Sequence, residues 1–158
     1  MWRYLWVAAV VFVCDQLTKY AAADYLLRHG EVKLTSFLSF TLVHNTGAAF
    51  GILSSAGGWQ NIFFIALALI ACFVILLVIK RLDGRDVLLI VALMLILGGA
   101  AGNLIDRLIH GYVVDFIDVY YRTWHWPAFN IADSAITIGA VLLAVDALGV
   151  ASRHRHVS

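Results

Sequence analysis

Residues 62–79 read IFFIALALIACFVILLVI, an uninterrupted apolar stretch that carries no charge and is closed by Lys80 and Arg81. A helix of about 20 mostly apolar residues is long enough to cross the hydrocarbon core of a bilayer. We therefore predict that residues 62–79 form a membrane-spanning helix, and the rest of the chain is interpreted around it.

The composition of the whole chain supports a membrane protein. Hydrophobic residues make up 63% of the 158 residues and charged residues 13%, whereas soluble domains contain roughly 45–50% and about 25%. Disorder is excluded because disordered chains are poor in aliphatic residues and rich in charge. The formal net charge is +1, so the chain has no strong field for polyanions and we expect no nucleic-acid partner.

Three further stretches, near residues 5–23, 87–103 and 131–149, are predicted to span the membrane. The first of them also resembles a cleaved signal peptide, with Arg3 before the apolar run and Ala21–Ala23 as a cutting site. However, Asp15 and Lys19 interrupt this run, and their spacing lets them pair on one helix. Paired charges inside a membrane are usually functional or buried in a bundle, so we expect a retained first helix.

The distribution of basic residues predicts that both termini are cytoplasmic. Six basic residues lie near the termini and in the short 80–86 loop, while four lie in the two longer connections on the other side. The first set is Arg3, Lys80, Arg81, Arg85, Arg153 and Arg155, and the second is Arg28, Lys33, Arg107 and Arg122.

The connections, residues 24–60 and 104–130, are predicted to form a small extracytoplasmic cap. Apolar residues alternate between Val32 and Leu42, the period of a strand. In the second connection, Val113, Phe116, Ile117 and Tyr120 recur at helical spacing, which predicts a short interfacial helix. The sequence contains no repeat or linker, so we expect residues 1–158 to form a single integral membrane domain.

Polar residues near the outer ends of the third and fourth spans are the candidates for chemistry. Asp115 and Asp133 are delivered to the same leaflet, and two close carboxylates share one proton at neutral pH. The ionised member can then take a proton from water while the protonated one polarises a carbonyl. A structural interpretation also stands: Asn130 and Asp133 can cap the fourth helix, and Asp115 can lie on the wet face of an interfacial helix.

Five sequence blocks follow one another along the chain: DQLTK (15–19), NTGAAFG (45–51), GGAAGNLIDR (98–107), VVDFI (113–117) and FNIADSAI (129–136). Together they resemble the lipoprotein signal peptidase family, also called signal peptidase II, of the bacterial inner membrane. The resemblance covers about residues 5–148. It implies four transmembrane helices with an extracytoplasmic β-cradle, and an active site at the outer leaflet boundary.

The resemblance also implies an aspartic-protease dyad, with no metal and no organic cofactor. The dyad falls on Asp115 and Asp133. Substrates of the family are prolipoproteins that carry diacylglycerol on a cysteine, and cleavage falls just before that cysteine. The partners implied are therefore diacylglyceryl-prolipoproteins, membrane lipid and globomycin-type inhibitors, and we expect a monomer. The support positions that match the family are Asn45, Asn103, Arg107, Asn130, Asp15 and Lys19.

We therefore predict an all-α membrane protein, a four-transmembrane-helix bundle with a small β-cradle and a short interfacial helix, acting as an aspartic endopeptidase. The alternative is a proton- or ion-coupled transporter in which Asp15, Lys19 and Asp133 form a relay. The missing internal repeat and the clustering of acids at one interface count against it. A purely structural membrane adaptor leaves that clustering unexplained.

Overall fold

The computed structural model describes residues 2–47, 58–82 and 86–155, with side chains up to Gly149 in the last helix. Residues 48–51 of the second sequence block, Arg85, and the side chains of Arg153 and Arg155 fall outside this part. The described part begins with a 3-10 turn, Trp2–Tyr4, and contains four α-helices: α1 Leu5–His29, α2 Trp59–Arg81, α3 Val87–His110 and α4 Ile131–Arg155. It also contains four strands: β1 Val32–Lys33, β2 Leu38–Asn45, β3 Val113–Tyr121 and β4 Trp124–His125.

All four predicted spans are helices that are long and apolar enough to cross a membrane. α1 and α3 continue past their apolar stretches, to His29 and His110 rather than to about residues 23 and 103. Each ends at a glycine with positive φ, Gly30 at 75° and Gly111 at 80°, which is the usual way of stopping a helix. The polar residues at the end of α3 stay helical because their side chains find partners inside the protein.

α3 is the central helix of the bundle and packs against α1, α2 and α4. Half of its most apolar window is buried inside the protein, against 22%, 11% and 17% for α1, α2 and α4. Small residues permit this close packing: a Cβ added to Gly99 would lie 2.5 Å from the backbone oxygen of Ala132 in α4. The contact places the end of α3 directly against the first turn of α4.

The strands form one antiparallel sheet in the order β1-β2-β3-β4, which confirms the small sheet expected from the alternating residues. β2 pairs with β3 from Leu38 opposite Val119 to Asn45 opposite Val113. A register shift between Phe40 and Val43 marks a bulge of one extra residue in β2. Beyond this bulge, Asn45 lies on the same face of the sheet as Asp115.

The predicted interfacial helix is wrong, because residues 113–121 form strand β3. Val113 and Ile117 point to one face of the strand, and Phe116 and Tyr120 to the other. Both faces are at least partly covered, so apolar residues stand on both, and their combined spacing imitates that of a helix. β-branched and aromatic residues fill this segment, and they favour the strand.

The contact at Gly99 yields a test of the bundle. We expect Gly99→Ala to lower the unfolding temperature in detergent, because overpacking costs about 1–3 kcal/mol and outweighs the roughly 0.5–1 kcal/mol that alanine gains in a helix. Gly149→Ala is the matched control, since its Cβ would meet no heavy atom within 4 Å. Equal unfolding temperatures for the two variants would contradict the packing described.

Candidate active site

The fold brings Asp115 of β3 and Asp133 of α4 into one hydrogen-bonded cluster. The side chain of Asp115 accepts hydrogen bonds from Asn130 Nδ2 at 2.7 Å and from Asn45 Nδ2 at 2.9 Å. Asp133 accepts one from Asn103 Nδ2 at 2.8 Å. Asp115 is 1% exposed, whereas Asp133 is only partly buried. One carboxyl is therefore enclosed while the other can be reached from outside.

Asn130 connects the start of α4 with the carboxyl pair. Its side-chain oxygen accepts the N–H of Asp133 at 2.9 Å, and Asp133 Oδ2 accepts the N–H of Asn130 at 3.3 Å. These reciprocal bonds have the geometry of a capping box. Because the amide nitrogen of the same Asn130 donates to Asp115, the cap of the helix and the carboxyl cluster share their residues.

Asn103 of α3 uses both ends of its amide inside the cluster. Its oxygen accepts hydrogen bonds from Lys19 Nζ at 2.9 Å and from Asn130 Nδ2 at 3.2 Å, and its nitrogen donates to Asp133. The residue is 7% exposed. An amide that is satisfied in this way has one orientation, so Asn103 fixes the side chain of Asp133 relative to α1.

Burial is the main cause of the raised pKa of Asp115. Its pKa is raised from 3.8 to about 7, mainly by loss of hydration and in addition by the neighbouring charge of Asp133. The hydrogen bonds from Asn45 and Asn130 and the charge of Lys19 act in the opposite direction. Below about pH 7 the Asp115 carboxyl therefore holds a proton, as one member of a proton-sharing pair must.

Arg107 lies one turn beyond Asn103 on α3. Its guanidinium sits over the ring of Phe64 in α2, 4.9 Å from the centroid, and Nη1 lies 3.5 Å from the backbone oxygen of Asn103. Its buried Nε has no hydrogen-bond partner among the described residues. This fixed cation beside the carboxyl pair is suited to binding a carbonyl oxygen.

The predicted pair Asp15–Lys19 is present on α1 with Nζ to Oδ2 at 2.7 Å, and it is completed by Asp106, whose Oδ2 lies 2.9 Å from the same Nζ. Asp106 was not among the predicted site residues. A signal was available, because Asp106 follows Asn103 by three residues and so lies on the same face of a helix. Removing one member of such a buried cluster costs about 3–5 kcal/mol.

A largely apolar cavity of about 440 Å³ opens beside Asp133, between α4 and the segment that follows β4. Its walls include Trp126, Phe129, Thr137 and Ile138. An apolar chain lying in this cavity would be next to the more exposed carboxyl. Within the described residues, no group of three or more His, Cys, Asp or Glu side chains is placed to hold a metal ion.

A family model described as signal peptidase (SPase) II matches residues 7–149. A lipoprotein signal peptidase of Alteromonas mediterranea is 51% identical over 91% of this chain and 79% of that protein. Another, of Paraburkholderia phytofirmans, is 52% identical over 92% of this chain and 84% of that protein. A solved structure described as a bacterial membrane enzyme is similar with a TM-score of 0.84 and 34% identity, covering 97% of this chain and 92% of that chain.

The raised pKa of Asp115 can be measured directly. We expect a carboxyl C=O stretching band in the infrared spectrum that disappears as the pH rises through about 7, because burial holds the proton on Asp115 below that pH. The band is assigned by its loss in Asp115→Asn. A wild-type spectrum with no Asp115-dependent band between pH 5 and 8 would contradict the proposed acidity.

Proposed function

The chain belongs to the signal peptidase II family, and we propose that it is an aspartic endopeptidase that removes the signal peptide from diacylglyceryl-modified prolipoproteins, cutting just before the lipidated cysteine. The observation that carries the proposal is the cluster of Asp115 and Asp133, in which the Asp115 carboxyl is enclosed and the Asp133 carboxyl is partly exposed. The raised pKa of Asp115 is consistent with it. The relatives from Alteromonas mediterranea and Paraburkholderia phytofirmans are named lipoprotein signal peptidase.

In the proposed reaction, the ionised carboxylate of Asp133 takes a proton from a water molecule, which attacks the carbonyl carbon of the scissile bond. The protonated Asp115 donates its hydrogen to the carbonyl oxygen and stabilises the tetrahedral intermediate. As the C–N bond breaks, the proton held by Asp133 passes to the leaving nitrogen, and the proton on the former carbonyl oxygen returns to Asp115 as the new carboxyl group forms. Arg107 orients a backbone carbonyl of the substrate, since its guanidinium remains charged throughout.

The proposed substrate explains why the cluster belongs at the end of the helices. Four apolar helices together with the family indicate a multi-pass protein of the bacterial inner membrane. The diacylglycerol on the substrate cysteine fixes the depth of the neighbouring peptide bond, so the carboxyl pair has to lie near the membrane boundary. We place it at the outer leaflet, with both termini cytoplasmic and the protein acting as a monomer in contact with membrane lipid.

The sheet is proposed to be the cradle that holds the substrate above the carboxyl pair. β2 contributes Asn45 and β3 contributes Asp115, so a substrate segment lying along these strands would pass the reacting groups. An extended peptide is the conformation that a strand edge recognises. Globomycin-type peptides are expected to compete for the same place.

The transporter alternative finds no support in the contacts of its proposed relay groups. Asp15 and Asp106 each form an ion pair with Lys19 and also accept a backbone N–H, from Ala132 and Val114 respectively. Asp15, Lys19 and Asp106 are 0–4% exposed and their charges are paired with one another, whereas a relay needs groups that exchange protons along a path.

The dyad is tested by Asp115→Asn and Asp133→Asn, assayed by signal-peptide release from a diacylglyceryl-prolipoprotein. We expect either change to lower kcat by about 10³-fold or more, because asparagine cannot exchange a proton, and the double variant to be scarcely worse. Asp118→Asn is the matched control: this β3 carboxylate is 6% exposed but binds Ser39 and His125. Substantial cleavage by either single variant would remove the aspartic mechanism.

The orientation is tested by a reporter fused after Ser158. Because the basic residues favour the cytoplasmic side for both termini, we expect activity from a reporter that works only in the cytoplasm. A reporter that works only outside the membrane should stay inactive there and should become active when fused within residues 24–60. The reverse pattern would overturn the topology.

A further inference from the structure

We infer that Asp15 and Asp106 are positioning residues that set the distance between the two dyad carboxyls. Each accepts a hydrogen bond from the backbone N–H of the residue that directly precedes one member of the dyad. This inference rests on the proposed function and assigns a part in it to Asp106, which neither the sequence blocks nor the carboxyl cluster by themselves distinguish from an ordinary helix-end residue.

The first contact joins α1 to the start of α4. Asp15 Oδ1 accepts the N–H of Ala132 at 2.9 Å, and Ala132 directly precedes Asp133. Ala132 is the second residue of α4, where the N–H has no partner inside its own helix. The negative carboxylate is also favoured by the helix dipole. A side chain of another helix thus determines where the residue before Asp133 lies.

The second contact joins the end of α3 to strand β3. Asp106 Oδ2 accepts the N–H of Val114 at 3.1 Å, and Val114 directly precedes Asp115. Asp106 lies in the last turns of α3, so this bond ties strand β3 to the central helix. Each dyad residue therefore follows an amide that is bound by a buried carboxylate.

The two contacts are linked by side chains of α1. Lys19 Nζ lies 2.7 Å from Asp15 Oδ2 and 2.9 Å from Asp106 Oδ2. Gln16 Nε2 donates to Asp15 Oδ2 at 3.2 Å and to Asp106 Oδ1 at 2.9 Å. A continuous chain of polar contacts therefore runs from the amide before Asp133 to the amide before Asp115.

The charged members of this chain of contacts are buried, and one of them is tightly packed. Asp15 is 0%, Lys19 3% and Asp106 4% exposed. Gly102 of α3 faces the carboxylate of Asp15 so closely that an added Cβ would collide with Oδ2. A displacement of about 1 Å at reacting groups can cost 10²-fold in rate, so this packing has a direct catalytic consequence.

The decisive comparison is Asp106→Leu with Asp106→Asn, measured as kcat and KM for signal-peptide release by correctly inserted, folded protein. Leucine removes the acceptor of the Val114 N–H, and we expect kcat to fall about 10²-fold with KM unchanged, because the residue lies away from the substrate. Asparagine keeps an oxygen for Val114, while the Gln16 amide can turn to accept from the new nitrogen. We therefore expect Asp106→Asn to restore kcat nearly to the wild-type value.

Asp118→Leu is the matched control, because Asp118 is buried to a similar degree but points to the face of β3 opposite Asp115. Its side-chain partners within the described residues are Ser39 and His125, and it holds no backbone amide there. It should lose stability and keep kcat per folded molecule. Equal losses of kcat in Asp106→Leu and Asp118→Leu, a normal kcat in Asp106→Leu, or an Asp106→Asn variant as slow as leucine would each overturn the inference.

Where Asp106→Leu does not fold, Gly102→Ala replaces it, because it displaces the Asp15 carboxylate without removing a charge. A lower kcat with unchanged KM supports the inference, and a normal kcat contradicts it. Failure of the proposed function gives a different pattern: the wild type would release no signal peptide, or Asp115→Asn would remain active.

Discussion

Keeping the Asp115 carboxyl out of water is the constraint on which the arrangement of this protein depends. An isolated carboxylate in an apolar environment is costly, so the group either holds a proton or is surrounded by donors. Both apply to Asp115, which is 1% exposed. Its pKa is raised to about 7, and Asn45 and Asn130 donate hydrogen bonds to its side chain. The donors come from a strand and from a helix start, so the sheet and the bundle have to meet at this group.

The helix cap and the candidate catalytic pair prove to be one structure. Asn130 and Asp133 exchange the two bonds of a capping box, and the same residues bind Asp115 and Asn103. The structural and the functional interpretations of these residues are therefore not alternatives. A helix start offers oriented N–H groups and a positive dipole end, and the Asp133 side chain lies in the first turn of α4 where both are present.

The membrane spans and the Asp15–Lys19 pair could be predicted because they depend on residues close together in the sequence. The run from Ile62 to Ile79 needs only its length and apolarity to be identified as a span, and Asp15 and Lys19 need only their spacing on one helix. Asp106 was missed because the contact that distinguishes it, a hydrogen bond from the Val114 N–H, forms only when strand β3 packs against α3. β3 was mistaken for a helix because both of its faces are partly covered, which obscures the two-residue period.

The bulge in β2 has a consequence for how this chain can vary in length. The pairs change from Phe40 opposite Ile117 to Val43 opposite Asp115, so one extra residue is absorbed between them. Losing a residue at 41–42 would restore regular pairing and leave Asn45 facing Asp115. Losing a second residue from the stretch between Phe40 and Asn45 would turn the Asn45 amide to the opposite face, away from the carboxyl of Asp115. The stretch between Phe40 and Asn45 can therefore lose one residue, but not two, without moving the Asn45 amide away from Asp115.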